Sequence, residues 1–475
     1  MNPKKIMTKF STQFHFFLLM ATVCFIFIVP GCKTDESSTQ KNSVIVMKEK
    51  QISFTNKNHA LDNNDNFSPD GKFLCYDTRG TIYNENLANC KSIEKIEIAT
   101  GEETVLWEPE SVTGEEAAPG VAAVSWHPTE NNVIFIHGPL LDEVEQRGFY
   151  GIRNRTGVEV SADGKGTITK VDKRDVSTEK PTIQGAQRGG THRHEYSRNG
   201  NRIGFTYDDF IQQKNNRTIG YLEANNKAPE GYTHYFAVLL KTVEKGKSKA
   251  GEIEKAYGDS WVDSEGTMRA FIGDVRAENG VDYDTSLFVA DVPVTTDITT
   301  SFSGNNLEYP LPPLGVEIRR LTHSGWAGGI VRGSFDGKRI AYLTIDNSGV
   351  IQVSVIDAYG SDLSDDKTKQ PQQVSQFKTD ASSLRWHPSN HWIFSIVDGN
   401  VAATSAKTGN DFGKTILLTN DNQQRENLVV SPDGNILACT IVTPSKDKVG
   451  KKHIKAYRQI FVIELEWDKI ESGLK

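Results

Sequence analysis

Along residues 67–442 the chain repeats one pattern of apolar and polar positions. An aromatic or apolar residue is followed by Ser or His, then by a polar turn carrying Pro or Gly, then by an apolar or alternating strand. The copies read FSPDGKFLCYD from Phe67, WHPTENNVIFIHG from Trp126, YSRNGNRIGFTYDD from Tyr196 and WVDSEGTMRAFIGD from Trp261. They continue as GSFDGKRIAYLTID from Gly333, WHPSNHWIFSIVDG from Trp386 and VSPDGNILACTIV from Val430. Each alone is ordinary turn chemistry feeding a strand. Seven in register are a repeat architecture, with successive turns 44 to 71 residues apart, at or beyond the length of a minimal four-stranded blade.

Further strand patterns fill the intervals, among them IEKIEIATGEETVLWE, SLFVADV, VIQVSVIDAYG and QIFVIELEW. Helical periodicity is scarce, with one short helix expected at 251–257. The pattern predicts an all-β protein: a seven-bladed β-propeller of four-stranded blades over residues 51–475, with loop insertions (138–189 and 208–260) around the third blade. In such a propeller the aromatic–Ser pair ends the innermost strand of its blade. The segment before each copy then lines the central channel near one mouth. This places residues 63–66, His192, His194, Asp259, Arg332, Arg385 and residues 425–427 around a common rim, the default binding site.

Ahead of the repeats stands a different composition. Lys4, Lys5 and Lys9 precede an almost unbroken apolar run at 16–29, and VPGC ends at Cys32. This reads as a lipoprotein signal peptide at 1–31, with Cys32 receiving the lipid. Residues 32–50 read as a flexible polar tether. The expected location is a bacterial cell envelope, lipid-anchored at the outer membrane and facing either the periplasm or the surface. The whole chain carries −7; without the three lysines and no acids of residues 1–31 it carries −10, which argues against a nucleic-acid partner. Cys75, Cys90 and Cys439 remain beyond Cys32, an odd number that implies no disulfide framework.

Several segments resemble a known group: NHALDNNDNFSPDGKFLCYD, VIFIHGP, GGTHRHEYSRNGNRIGFTYDD, AFIGD and RRLT. They look like the propeller family catalogued as domain of unknown function 3748, and the likeness runs over nearly the whole chain after the signal. It implies a Tol-type, WD40-like propeller without assigning an activity. GVEIRRLT and the His192/His194 pair are also distantly similar to oligogalacturonide lyases. That likeness implies a divalent metal held by histidines near the channel.

The candidate chemistry centres on residues 189–209. His192 and His194 are two apart, which on an extended strand puts both imidazoles on one face. Imidazole nitrogens suit one divalent ion (Mn, Zn, Ni or Fe), with His137, His234, Glu195, Asp208 or Asp259 as further ligands. In a β-elimination the metal would neutralise a uronate carboxylate while a base takes the adjacent proton. Arg153, Arg155 and Arg188 offer an alternative carboxylate clamp. His127 and His387 read as turn stabilisers. No nucleophile elbow, P-loop or dinucleotide fingerprint occurs. The expected function is binding of a ligand or envelope protein partner at the channel mouth, with a lyase acting on acidic oligosaccharides as the alternative. The lipidation reading predicts that Cys32→Ser abolishes incorporation of radiolabelled palmitate and releases the protein from membranes. Unchanged labelling would refute it.

Overall fold

The Ser of each repeat closes its turn with its own side chain. Ser68 Oγ donates to Asp70 (2.7 Å) and accepts from the Phe73 backbone N–H (2.9 Å). Ser197, Ser334 and Ser431 make the same pair of bonds with Asn199, Asp336 and Asp433 and with the N–H of the following strand. The glycine that completes three of these turns, Gly71, Gly337 or Gly434, has φ of 70–76°, a region nearly closed to side chains with a Cβ. Where His replaces Ser, its Nδ1 takes over as acceptor. His127 Nδ1 accepts from Glu130 N–H (2.9 Å) and His387 Nδ1 from Ser389 N–H (3.0 Å). Both histidines are turn stabilisers, as expected.

The computed structural model describes residues 43–475 except 62–64, 81–89, 111–119, 140, 142–143, 165, 176, 178–179, 422, 447–451 and 475. Cys32 and the signal segment lie outside the described residues. The described residues form seven sheets, each a blade, antiparallel except where Ser43–Val44 joins blade 6. Inner strands of blades 2 to 7 are Val121–Trp126, Gly190–Tyr196, Ile253–Trp261, Ala327–Gly333, Ala381–Trp386 and Arg425–Val430. In blade 1 that place is held by the bridges of Ala60 to Asp77 and Phe67 to Leu74. Seven hydrophobic cores separate the blades, one at each junction. Strands with both faces in such cores are almost wholly apolar, as in Trp392–Val397, where every residue is buried and only Ser395 is polar.

Three expectations need correction. The segment at 251–257 is no helix; it starts the inner strand Ile253–Trp261, because its alternate residues pack into the adjoining cores. The supposed insertions also carry the outer strands of their own blades, between irregular stretches. Thr156–Ser161 with Ile168–Lys170 completes blade 2, and Thr218–Ala224 with His234–Val238 completes blade 3. The tether also ends earlier than residue 50. Ser43–Val44 pairs in parallel with Thr415–Leu417 of blade 6, and Glu49–Gln51 is the fourth strand of blade 7, antiparallel to Lys452–Glu464. An N-terminal strand therefore closes a blade built from the C-terminus.

Glu49 fixes that closure. Its two carboxylate oxygens accept from Arg425 Nε and Nη2, each at 2.8 Å, and Arg425 Nη1 donates to Asp421 at 2.8 Å. Met47 and Ile52, each 3% exposed, anchor either side of the strand in two different cores. Arg425, expected at the ligand rim, is thus a structural clamp. Arg425→Ala strands a largely buried carboxylate and is predicted to cost about 3 kcal/mol, read as a lower urea midpoint. A change within about 0.5 kcal/mol, the range of neutral surface substitutions, would show that the clamp is dispensable.

Candidate functional site

The inner strands share an irregularity that the alternating pattern conceals. Ala123, Arg193, Gly258, Ser383 and Asn427 all have positive φ, between 56° and 63°, and each stands three residues before the repeat's aromatic or apolar position; Gly329, at φ 78°, stands four before it. In each strand the register with its neighbour shifts there, as in a β-bulge. The side chains beyond the bulge are re-aimed, and those of Glu195, Ser260, Arg332 and Arg385 reach the channel.

They line a cavity of about 250 Å³ where the inner strands end. Its lip is aromatic, formed by Phe67, Trp126, Tyr196, Trp261 and Trp386 of the repeat and by Phe335. Two of the tryptophans tie neighbouring blades together: Trp261 Nε1 donates to the Glu195 carbonyl (3.1 Å) and Trp386 Nε1 to that of Arg332 (3.0 Å). Arg198 occupies the slot that proline fills in four other turns. It lies 4.6 Å from the Phe335 ring centroid and donates to the Val262 and Gly333 carbonyls.

The charges within are unevenly satisfied. Arg332 is 6% exposed, and apart from a bond from Nη1 to the Val331 carbonyl (3.3 Å) its Nε and Nη2 have no partner among the described residues. Burial, then the nearby Arg385 and Arg193, push its pKa well below the usual arginine range. Arg385 is 8% exposed and donates Nη1 to the Leu384 carbonyl (2.7 Å). Asp65 of blade 1 has no hydrogen-bonding partner for its carboxylate among the described residues. Solvent reaches it through the mouth, yet the surrounding walls and then Glu195 raise its pKa to about 6, against the opposing pull of Arg332, Arg198 and Arg385. Glu195, by contrast, is fully engaged, accepting from Ser260 Oγ (2.7 Å) and Arg269 Nη1 (3.1 Å). Arg269 also holds Asp259, which is 2% exposed and stands behind the wall (Nε to Oδ2, 2.7 Å). Gly204 makes room for that guanidinium, since a Cβ there would lie 1.9 Å from Arg269 Nη1.

The structure therefore gathers Arg332, Arg385 and Asp65 of the expected rim. It does not gather the histidines. Arg193, at φ 60°, sits between His192 and His194 and breaks their alternation. His192 is half-buried in the channel, where enclosure and then Arg155, Arg217, Arg79 and Arg193 hold its pKa well below the usual value. His194 is fully buried between blades 2 and 3, above Gly157 and 6.1 Å from the Phe205 ring, and burial drives its pKa to about 3. His137 ends the second strand of blade 2, Nδ1 2.5 Å from the Gly138 carbonyl, and His234 begins the outermost strand of blade 3. No group of three or more His, Cys, Asp or Glu among the described residues is placed to hold a metal ion. Four arginines around His192 and a buried His194 are a donor set that does not fit a divalent cation. Of the suggested arginine clamp, Arg188 is taken by Asp209 (2.8 Å) and Arg153 donates to the Asp209 carbonyl (2.8 Å). Asp208 pairs with Arg217 (2.8 Å). Cys75, Cys90 and Cys439 are buried free thiols.

Residues 120–245, which include blade 3's inner strand and Glu195, match the family described as "Protein of unknown function (DUF3748)". Over 419 residues, 82% of this chain and 94% of the relative, the sequence is 30% identical to the uncharacterized protein YidR of Escherichia coli K12. The chain belongs to the DUF3748 family. Similar solved structures include a putative TolB from Agrobacterium tumefaciens, with TM-score 0.37 and 12% identity over 79% of this chain and 98% of that one. TolB from Acinetobacter baumannii gives TM-score 0.36 and 10% identity over 83% and 64%. A prolyl endopeptidase gives TM-score 0.46 and 11% identity over 86% and 50%. In this family member the cavity wall rests on residues that the repeat pattern did not single out, namely Glu195, Arg269 and Gly204. One available signal was the arginine of SRNG standing in the proline slot.

His194 also makes stability depend on pH. Its folded pKa of about 3 lies below the unfolded value, so the unfolded chain takes up the proton first. Stability from this group is complete above about pH 6.5 and falls on acidification at up to about 1.4 kcal/mol per pH unit. His194→Asn is predicted to flatten the urea-unfolding pH profile between pH 6 and 4 relative to the parent. Parallel profiles would mean that His194 is not held neutral.

Proposed function

We propose that this protein is a lipid-anchored envelope propeller that binds an anionic ligand in the channel-mouth cavity. One observation carries the reading: the buried Arg332 guanidinium, with Nε and Nη2 unpartnered, faces that cavity beside Arg385. A charged donor removed from water without acceptors is costly. A carboxylate supplies two acceptors in the geometry a guanidinium prefers, and neutralises the repulsion between the two arginines. The aromatic lip adds apolar surface for the remainder of the ligand. Anchoring rests on the signal segment and Cys32. The alternative is a lyase using His192 and His194; among the described residues no group of metal ligands assembles around them, and no observation favours it over binding.

Isothermal titration calorimetry with 3-phenylpropionate, an aromatic carboxylate, tests the proposal. Binding at one site is expected, weakened about tenfold or more by Arg332→Ala and by Arg385→Ala. Equal affinity in the parent and both variants, or no binding by the parent, would count against it.

A further inference from the structure

The same cavity has an unused negative charge as well as an unused positive one, and the ring places them apart. In a closed ring of seven, blade 1 faces the junction of blades 4 and 5. Asp65 belongs to blade 1 and Arg332 to blade 5. The two line one cavity without forming an ion pair, and Asp65 nevertheless feels the fields of Arg332, Arg198 and Arg385. We propose that the cavity takes a zwitterion, a small ligand bearing one carboxylate and one ammonium on an apolar body. This inference rests on the anion-binding reading and specifies its ligand class.

Three features of the wall point the same way. The second acid, Glu195, is bonded to Ser260 and Arg269 and is unavailable to a ligand amine, so among the described residues Asp65 supplies that contact. A ligand with only a negative charge would enter facing Asp65 at close range in a partly desolvated space, where like charges oppose binding. An ammonium turned toward Asp65 replaces that repulsion with attraction while its carboxylate meets Arg332 and Arg385. The volume, about 250 Å³, lies just below the range of drug-sized pockets, about 300–1,000 Å³. It suits an amino acid, or the end of a short peptide, with an aromatic or aliphatic side chain against the lip.

Calorimetry with three probes of one shape decides it: 3-phenylpropionate, phenethylamine and phenylalanine, each against the parent, Asp65→Asn and Arg332→Ala. In the parent, phenylalanine is expected to bind about tenfold or more tighter than 3-phenylpropionate. Asp65→Asn should reduce that preference to about twofold or less without weakening 3-phenylpropionate, and Arg332→Ala should weaken both acids. If 3-phenylpropionate matches or exceeds phenylalanine in the parent, or the preference survives in Asp65→Asn, the zwitterion inference fails while anion binding stands. If neither acid binds, if Arg332→Ala changes nothing, or if phenethylamine binds best, both readings fail. Asp65→Glu, which keeps the charge, should retain the preference. It serves as the check should Asp65→Asn prove unstable, and loss of the preference in this variant with its fold intact would also overturn the inference.

Discussion

Sheets that are apolar on both faces cannot be left with an uncovered side, and this requirement organises the whole protein. Each blade presents one face to the blade before it and the other to the blade after it, so every core is shared. An open arc would leave two terminal faces wet; only a closed ring satisfies all seven sheets. Closure falls to the short strand Glu49–Gln51, whose own residues are polar. Its hold comes from ladder hydrogen bonds, from the Glu49–Arg425 pair, and from Met47 and Ile52 reaching into separate cores. Hydrophobic burial calls for the ring, and specific polar contacts fix where it shuts.

The channel follows from the same geometry. Inner strands converge on the axis, and there the repeated bulge turns a residue of each strand away from regular alternation. Where that residue is Ser260 the wall is neutral; where it is Arg332 or Arg385 the wall is cationic. The framework thus holds while chemistry varies at one position per blade. Contrast between two arginines shows how context divides them. Arg425 is saturated by Glu49 and Asp421 and serves architecture. Arg332 has no such partners for two of its nitrogens among the described residues, which leaves them open toward the cavity.

The repeat was legible because its turn and following strand are local, and most copies close the turn with a Ser or His acceptor at the same position. The position of Arg332 and Arg385 at the channel mouth followed from counting within that repeat. The bulges were not legible. Glycine advertises positive φ at Gly258 and Gly329, but Ala123, Arg193, Ser383 and Asn427 adopt it under tertiary constraint. Strict alternation therefore put His192 and His194 on one face, where the fold separates them. The polar sequence of the closing strand likewise resembled a tether, since its partners lie hundreds of residues away. Arg425 looked like a rim residue for the same reason: its carboxylate partner Glu49 is separated from it by 376 positions.

The closing strand also sets how the molecule would carry mechanical load. A pull on the N-terminus does not reach the blades evenly. It is delivered first to Ser43–Val44 on blade 6 and then to Glu49–Gln51 on blade 7. The segment nearest the point of traction is thus also the latch of the ring. Load entering from that side therefore meets the strands that complete blades 6 and 7 before it reaches the others, and is borne first by the ladder and the Glu49–Arg425 pair that shut the ring.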